Sequence, residues 1–239
     1  MSKYVVQAGW DHAPHLSEES KAELLSAIPP HEREARRNGE PTLGAGKIYE
    51  IPEADFVIEP FEVPTFWFKS YGLDVGWNRT ACIWQAHNRE TDIVYFVDEH
   101  YGAEQAPELH AVSIKARGEW IPGVIDPAAR GRQQGDGKRL IEQYIAAGLN
   151  LEAADNSVEA GIYEIRQRLL GGRLKVFKSL ANWLKEYRLY RRDEKGKVHK
   201  SNDHAQDAGR YNIMSGLAIA KQPPIKRTPY QTGGRVFTG

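Results

Sequence analysis

Three aspartates stand where packing alone gives a carboxylate little reason to be. Asp74 lies within Leu73-Asp74-Val75-Gly76, inside an otherwise apolar stretch. Asp126 ends the apolar run Gly123-Val124-Ile125-Asp126, and Asp207 lies in Asn202-Asp203-His204-Ala205-Gln206-Asp207-Ala208. An ionised carboxylate near a core is costly unless it is paired, hydrogen-bonded or bound to metal. None of the three motifs offers an obvious Lys or Arg, so a cation is read as the missing partner. Oxygen donors in a chain with a single cysteine, Cys82, point to Mg2+ or Mn2+ rather than zinc. Two such ions about 3.5–4 Å apart activate a water, stabilise a leaving oxygen and clamp a phosphodiester between them. Asp74, on a rigid strand, is the candidate bridge, with Asp126 and Asp207 completing the set. Each has a blander reading when taken singly. Asp126 precedes Pro127 and suits a turn, and Asp207 suits an exposed helix position. Asp203 is open between a helix N-cap and an auxiliary metal ligand. His204 reads as a surface or capping histidine.

The charge pattern supplies candidate phosphate contacts. Net charge is zero, yet residues 1–164 hold 15 Lys and Arg against 27 Asp and Glu, while residues 165–239 hold 17 against 5. A basic C-terminal third suits a surface that meets nucleic acid; the alternative is a solvated surface that evens out in three dimensions. Arg188, Arg191, Arg192, Lys195, Lys197 and Lys200 fall on one expected hairpin and would add affinity without sequence readout. Arg130 and Arg132 follow Asp126 in a Gly-rich loop, within reach of DNA beside the metals. Asp136 and Asp155 read as loop residues.

The elements that must position these residues follow from periodicity. Thr65–Leu73, Thr80–Gln85 and Ile93–Asp98 predict three consecutive antiparallel strands. Ala106–Arg117 predicts a helix, Trp120–Ile125 a short strand and Gly137–Ala147 a helix. Leu149–Ala154 predicts a strand, Ser157–Leu170 a helix ended by Gly171-Gly172, Arg173–Phe177 a strand and Leu180–Leu184 a helical turn. Glu186–Arg192 alternates, turns at Asp193–Gly196 and returns through Lys200, which predicts a basic β-hairpin. A last helix runs from Asn202 to Ala220, ended by Pro223-Pro224. Within it Gly209 is unusual for its propensity and permits either close packing or approach of DNA. The expected fold is α/β, a mixed sheet with helices on both faces. Residues 1–60 read as an arm or linker, 61–222 as the folded domain and 223–239 as a mobile tail. Gly44-Ala45-Gly46-Lys47 fails as a phosphate-binding loop, since Pro41 and Ile48 stand where Gly and Ser/Thr are required. No apolar run is long enough to span a bilayer, and no signal peptide is read at Met1–Tyr4.

The segments Tyr71-Gly72-Leu73-Asp74-Val75-Gly76-Trp77, Val124-Ile125-Asp126-Pro127-Ala128 and Asp203-His204-Ala205-Gln206-Asp207-Ala208-Gly209-Arg210-Tyr211 resemble the three acidic motifs of the nuclease portion of tailed-phage terminase large subunits. Those proteins belong to the RNase H-like superfamily. Ala8–Leu16 and Glu40–Tyr49 resemble the stretches that follow the ATPase domain there. The resemblance implies an RNase H-like fold and a metal-dependent DNA endonuclease that cuts concatemeric viral DNA during packaging. It places the metals on Asp74, Asp126 and Asp207, and gives a hairpin matching residues 186–200 control of DNA access. It also implies double-stranded DNA as substrate, an N-terminal ATPase domain, portal and small-subunit partners, and the cytoplasm of an infected bacterium as location. The chain then reads as a nuclease fragment. Three other readings stand beside it. A Holliday-junction resolvase or transposase-like enzyme keeps the fold. An actin-like ATPase shares an Asp-x-Gly strand but needs a second phosphate hairpin and roughly twice the length. A non-catalytic DNA-binding module leaves the aspartates unexplained.

Overall fold

The computed structural model describes residues 10, 16–27, 37, 46–130, 140–193 and 196–224. Its centre is a seven-stranded sheet ordered β1-β7-β4-β3-β2-β5-β6. The strands are β1 (Val57–Ile58), β2 (Phe68–Asp74), β3 (Thr80–Asn88), β4 (Ile93–Gly102), β5 (Gly123–Ile125), β6 (Leu151–Ala153) and β7 (Leu174–Phe177). The helices are α1 (Glu18–Ala27), α2 (Glu53–Phe56), α3 (Pro107–Lys115), α4 (Leu140–Ala146), α5 (Val158–Leu170), α6 (Ala181–Leu189) and α7 (His204–Tyr211). A π-helical segment, Asn212–Gly216, and a last turn, α8 (Leu217–Ile219), continue α7.

As their short connections require, β2, β3 and β4 pair antiparallel. β5 then joins the other side of β2 in parallel and β6 follows it, while β7 lies parallel to β4 and β1 to β7. Side-chain alternation divides the core between two faces. Tyr71, Leu73, Cys82 and Trp84 pack with Ala111 and Ile114 of α3 and Ile141 and Tyr144 of α4. Ala81, Ile83, Val94 and Phe96 face the other way, onto Ile162 and Ile165 of α5, Trp183 of α6, and Ala205 and Ala208 of α7. On β2 the residues between Tyr71 and Leu73 therefore belong to the α7 face, and Asp74 shares that face with Gly72. A Cβ on Gly72 would stand 2.0 Å from the Ala208 carbonyl oxygen, so glycine lets the backbones of α7 and β2 meet.

The π segment begins at a buried amide. Asn212 Nδ2 donates to the Ile83 carbonyl at 2.9 Å, Ser70 Oγ donates to Asn212 Oδ1 at 2.8 Å, and Gln85 Nε2 donates to Ser70 Oγ at 2.9 Å. This network ties the helix across β2 and β3.

Several expectations are revised. The folded body begins before residue 61: Ile48, Tyr49, Ile51 and Phe56 are core residues, and β1 enters the sheet. Strand β1 has only two residues, too few for a period to register in the sequence. The alternation expected from Glu186 is helix up to Leu189, because Leu180, Trp183, Leu184 and Tyr187 bury one 3.6-residue face. The hairpin shrinks to residues around a turn: Arg192 bridges Val198, Asp193 N donates to the Lys197 carbonyl, and His199 N donates to the Arg191 carbonyl. The last helix starts at His204 rather than Asn202 and is broken by the π segment. Most of the expected arm, residues 137–139 of the helix expected over Gly137–Ala147 and the tail from 225 onward lie outside the described residues.

Candidate metal centre

Asp74 is the last residue of β2, and Asp126 follows β5 directly. The two strands run parallel, with Leu73 opposite Ile125, and Asp126 N donates to the Leu73 carbonyl at 3.1 Å. The carboxylates thus emerge side by side from the C-terminal ends of neighbouring strands, where open α/β sheets place their sites. Asp126 uses Oδ1 to accept from Ala128 N at 2.9 Å, which stabilises the 3₁₀ turn Pro127–Arg130. Asp207 arrives from α7, whose register against β2 is set by the contact of Gly72 with Ala208.

The electrostatics record the convergence. Asp74 is 9% exposed. Burial pushes its carboxyl above the ordinary range and the charges of Asp207 and Asp126 add to the push, while a hydrogen bond with His204 opposes it. Burial first, then the charges of Asp207, Asp74 and Asp126 hold the Tyr211 phenol above the ordinary range.

The protein supplies its own cations here, which the sequence reading missed. His204 Nδ1 lies 2.8 Å from Asp74 Oδ2, and that bond raises the imidazole above its ordinary value. Arg210, 1% exposed, donates Nη2 to Asp207 Oδ1 at 2.9 Å and to Asn156 Oδ1 at 3.1 Å. Lys200 Nζ stands 3.3 Å from Asp207 Oδ2 and 3.4 Å from Asp203 Oδ2. Burial works against the Lys200 ammonium, but Asp207 and Asp203 outweigh it and its net shift is upward. The premise that these aspartates lack basic partners therefore fails for Asp207. Arg210 sits three residues along the same helix, a spacing at which side chains meet. His204, read as a surface residue, is half-buried against a strand 130 positions away. Among the described residues no three His, Cys, Asp or Glu side chains are arranged to hold a metal as they stand. Their chemistry still fits a hard divalent ion: the converging donors are carboxylate oxygens, and Cys82 is buried on the opposite face.

Asp203 occupies the N-cap position of α7, yet its side chain makes no cap bond. The expected DNA contacts are largely tied to carboxylates. Arg188 forms a two-bond fork with Glu53 at 2.6 and 2.7 Å, and Arg192 does the same with Glu159 at 2.8 and 2.7 Å. The backbone of Arg191 pairs with that of Lys47 in an isolated β-bridge, and Lys197 is exposed. Arg132, Lys195, Asp136 and the side chain of Arg130 lie outside the described residues. Asp155 lies in a loop, as expected, where it accepts from Ser157 N. Gly209 serves packing rather than DNA approach: a Cβ there would meet Trp183 Nε1 at 3.0 Å and Phe96 at 3.1 Å.

A mixed sheet opening on three antiparallel strands, with acidic residues at the ends of β2 and β5 and on the closing helix, defines an RNase H-like α/β protein. Residues 71–215, more than half of the chain, match the family model of the terminase RNaseH-like domain, and the chain belongs to that family. It is 35% identical over 228 residues to the terminase large subunit of Enterobacteria phage LP7, covering 90% of this chain and 47% of that protein. It thus spans about half the length of that relative. The P22 large terminase nuclease domain superposes with a TM-score of 0.70 at 33% identity, covering 76% of this chain and 97% of that one. The large terminase nuclease domain of bacteriophage SPP1, solved with bound Mn, shares the fold with a TM-score of 0.51 at 18% identity, covering 67% of this chain and 96% of that one.

Proposed function

We propose that this chain is a divalent-metal-dependent DNA endonuclease, the cutting portion of a terminase that cleaves concatemeric viral DNA during packaging. The observation that carries the reading is the convergence of Asp74, Asp126 and Asp207 at the C-terminal ends of β2 and β5 under α7. Asp74, Asp126 and Asp207 would hold two Mg2+ or Mn2+ ions, with Asp203 as auxiliary ligand. When bound, such ions supply Lewis acidity and a water of lowered pKa for phosphodiester hydrolysis. The Mn bound by the SPP1 nuclease domain supports this choice of cation. Asp74, whose carboxyl feels the charges of both Asp207 and Asp126, would take the central place. His204 and Lys200 contact Asp74 and Asp207, and a bound ion would compete with them for these carboxylates. Lys200, its side chain 63% exposed, has room to turn aside. Arg210, buried behind Asp207, stays and fixes that carboxylate.

Arg130, Arg132, Arg191, Lys195, Lys197 and Lys200 would meet phosphate. Arg188 and Arg192 contribute once DNA competes with Glu53 and Glu159 for their guanidinium groups. Specificity for base sequence is expected to be low, since such contacts read charge and not base edges. The family reading extends to an ATPase domain in the remaining half of the protein, to portal and small-subunit partners, and to the host bacterial cytoplasm. No helix among the described residues is long and apolar enough to cross a membrane.

The test is cleavage of linear duplex, supercoiled plasmid and four-way-junction DNA with Mg2+, Mn2+ or chelator. Metal-dependent cutting of plain duplex supports the reading. Cutting confined to junctions favours a resolvase, and binding without cutting under any metal favours a DNA-binding module.

A further inference from the structure

The N-terminus of α7 is capped from outside its own chain segment. A capping Asp normally accepts from the backbone N–H of the second or third residue of its helix. For Asp203 those are Ala205 and Gln206. Both are already taken by Glu186, whose Oε2 accepts from Ala205 N at 2.6 Å and from Gln206 N at 3.1 Å. Glu186 is 2% exposed, and its other oxygen accepts from the Tyr101 hydroxyl at 2.5 Å. Glu186 lies on α6, which is itself fixed in the same manner: Glu99 of β4 accepts from Asn182 N at 2.9 Å and Trp183 N at 3.0 Å. Two carboxylates thus anchor two successive helices to the sheet and to each other. With its usual N–H partners occupied, Asp203 turns its carboxylate to the ammonium that also meets Asp207.

We propose that Glu186 is a positioning residue that takes over the helix cap of α7 and so frees Asp203 for the acidic cluster. Capping from a neighbouring helix lets one short segment, residues 203–207, present two carboxylates to the same cation, where a self-capped helix would present one. The cap exchange stands on geometry alone; its consequence for metal rests on the nuclease reading above.

A double-mutant cycle tests both parts. Glu186→Ala, Asp203→Ala, their combination and Glu186→Gln are compared by backbone amide exchange at Ala205 and Gln206, and by Mn2+ titration calorimetry. Either carboxylate can cap, so the two amides stay protected in each single variant and lose protection, by about tenfold or more, only in the double variant. Mn2+ affinity falls in each alanine single variant by about 10–100-fold, the usual consequence of losing a group that orients or supplies a ligand. The double variant binds no worse than Asp203→Ala. Glu186→Gln, whose amide oxygen still accepts both N–H groups, rescues most of the loss. Protection lost already in Glu186→Ala would overturn the exchange of caps, and so would losses of affinity that multiply in the double variant. Mn2+ binding absent from the wild type would instead overturn the metal site, while the exchange data still decide the cap.

Discussion

Asp74 is constrained by burial and by charge together. Its carboxyl is buried, raised above its ordinary range by that burial and by its acidic neighbours, and held by His204. Asp74→Asn removes a buried charge at nearly constant volume. The variant is expected to fold with a thermal midpoint no lower than wild type, yet to lose metal-dependent cleavage by about 100-fold or more, at the upper end of what ligand-shell losses produce. Arg210→Ala is expected to act in the opposite sense on stability. It strips the buried partner from Asp207 and costs roughly 3–5 kcal/mol in urea denaturation. Much of this site was legible in the sequence, for reasons that differ by residue. Asp74 and Asp126 stood out because apolar strand residues flank them. Arg210 lay within the same motif as Asp207 and could have been read as its i+3 partner. Glu186 and His204 left no local signal, because their roles depend on contacts made through the tertiary fold.

At the scale of elements, the site depends on how closely α7 approaches β2. Gly72→Ala places a methyl against the Ala208 carbonyl, and this contact cannot be relieved by a side-chain rotation. We expect a loss of about 1–3 kcal/mol or more, with cleavage falling further than stability because Asp74 and Asp207 are displaced together. A second pair of elements, β4 and α3, is joined by His100 Nε2 and His110 Nδ1 at 2.8 Å. Burial lowers both imidazoles, His100 to about 4, so the native pair is neutral. The unfolded chain takes up protons below about 6.5 and the native chain does not. Stability is therefore fully present above that value and declines as pH falls from there towards 4. Thermal melts across this window should show a shallower decline in His100→Gln. The long strands and α5 were evident from period alone. Strand β1 was hidden by its brevity, and α6 by aromatic residues whose spacing suits either a strand or a helix until Trp183 and Leu184 are seen to share the buried face of Tyr187.

The whole molecule joins an acidic N-terminal two-thirds to a basic C-terminal third, and folding brings the two together. Arg188 meets Glu53 and Arg192 meets Glu159, so the charge asymmetry of the sequence overstates the positive surface offered to DNA. Freeing a guanidinium should strengthen DNA binding. Glu159→Gln is expected to raise duplex affinity several-fold at low salt, an advantage that salt removes, with a stability change below about 1 kcal/mol. Fluorescence anisotropy over a salt series measures the first effect and urea denaturation the second. The central claim, that the convergent aspartates are a metal-dependent nuclease centre, is tested most directly by plasmid cleavage with Mg2+, Mn2+ or chelator, wild type against Asp74→Asn. Cutting that requires metal and vanishes in the folded variant is the predicted result. Equal cutting by both proteins would contradict the assignment of Asp74 as the central ligand.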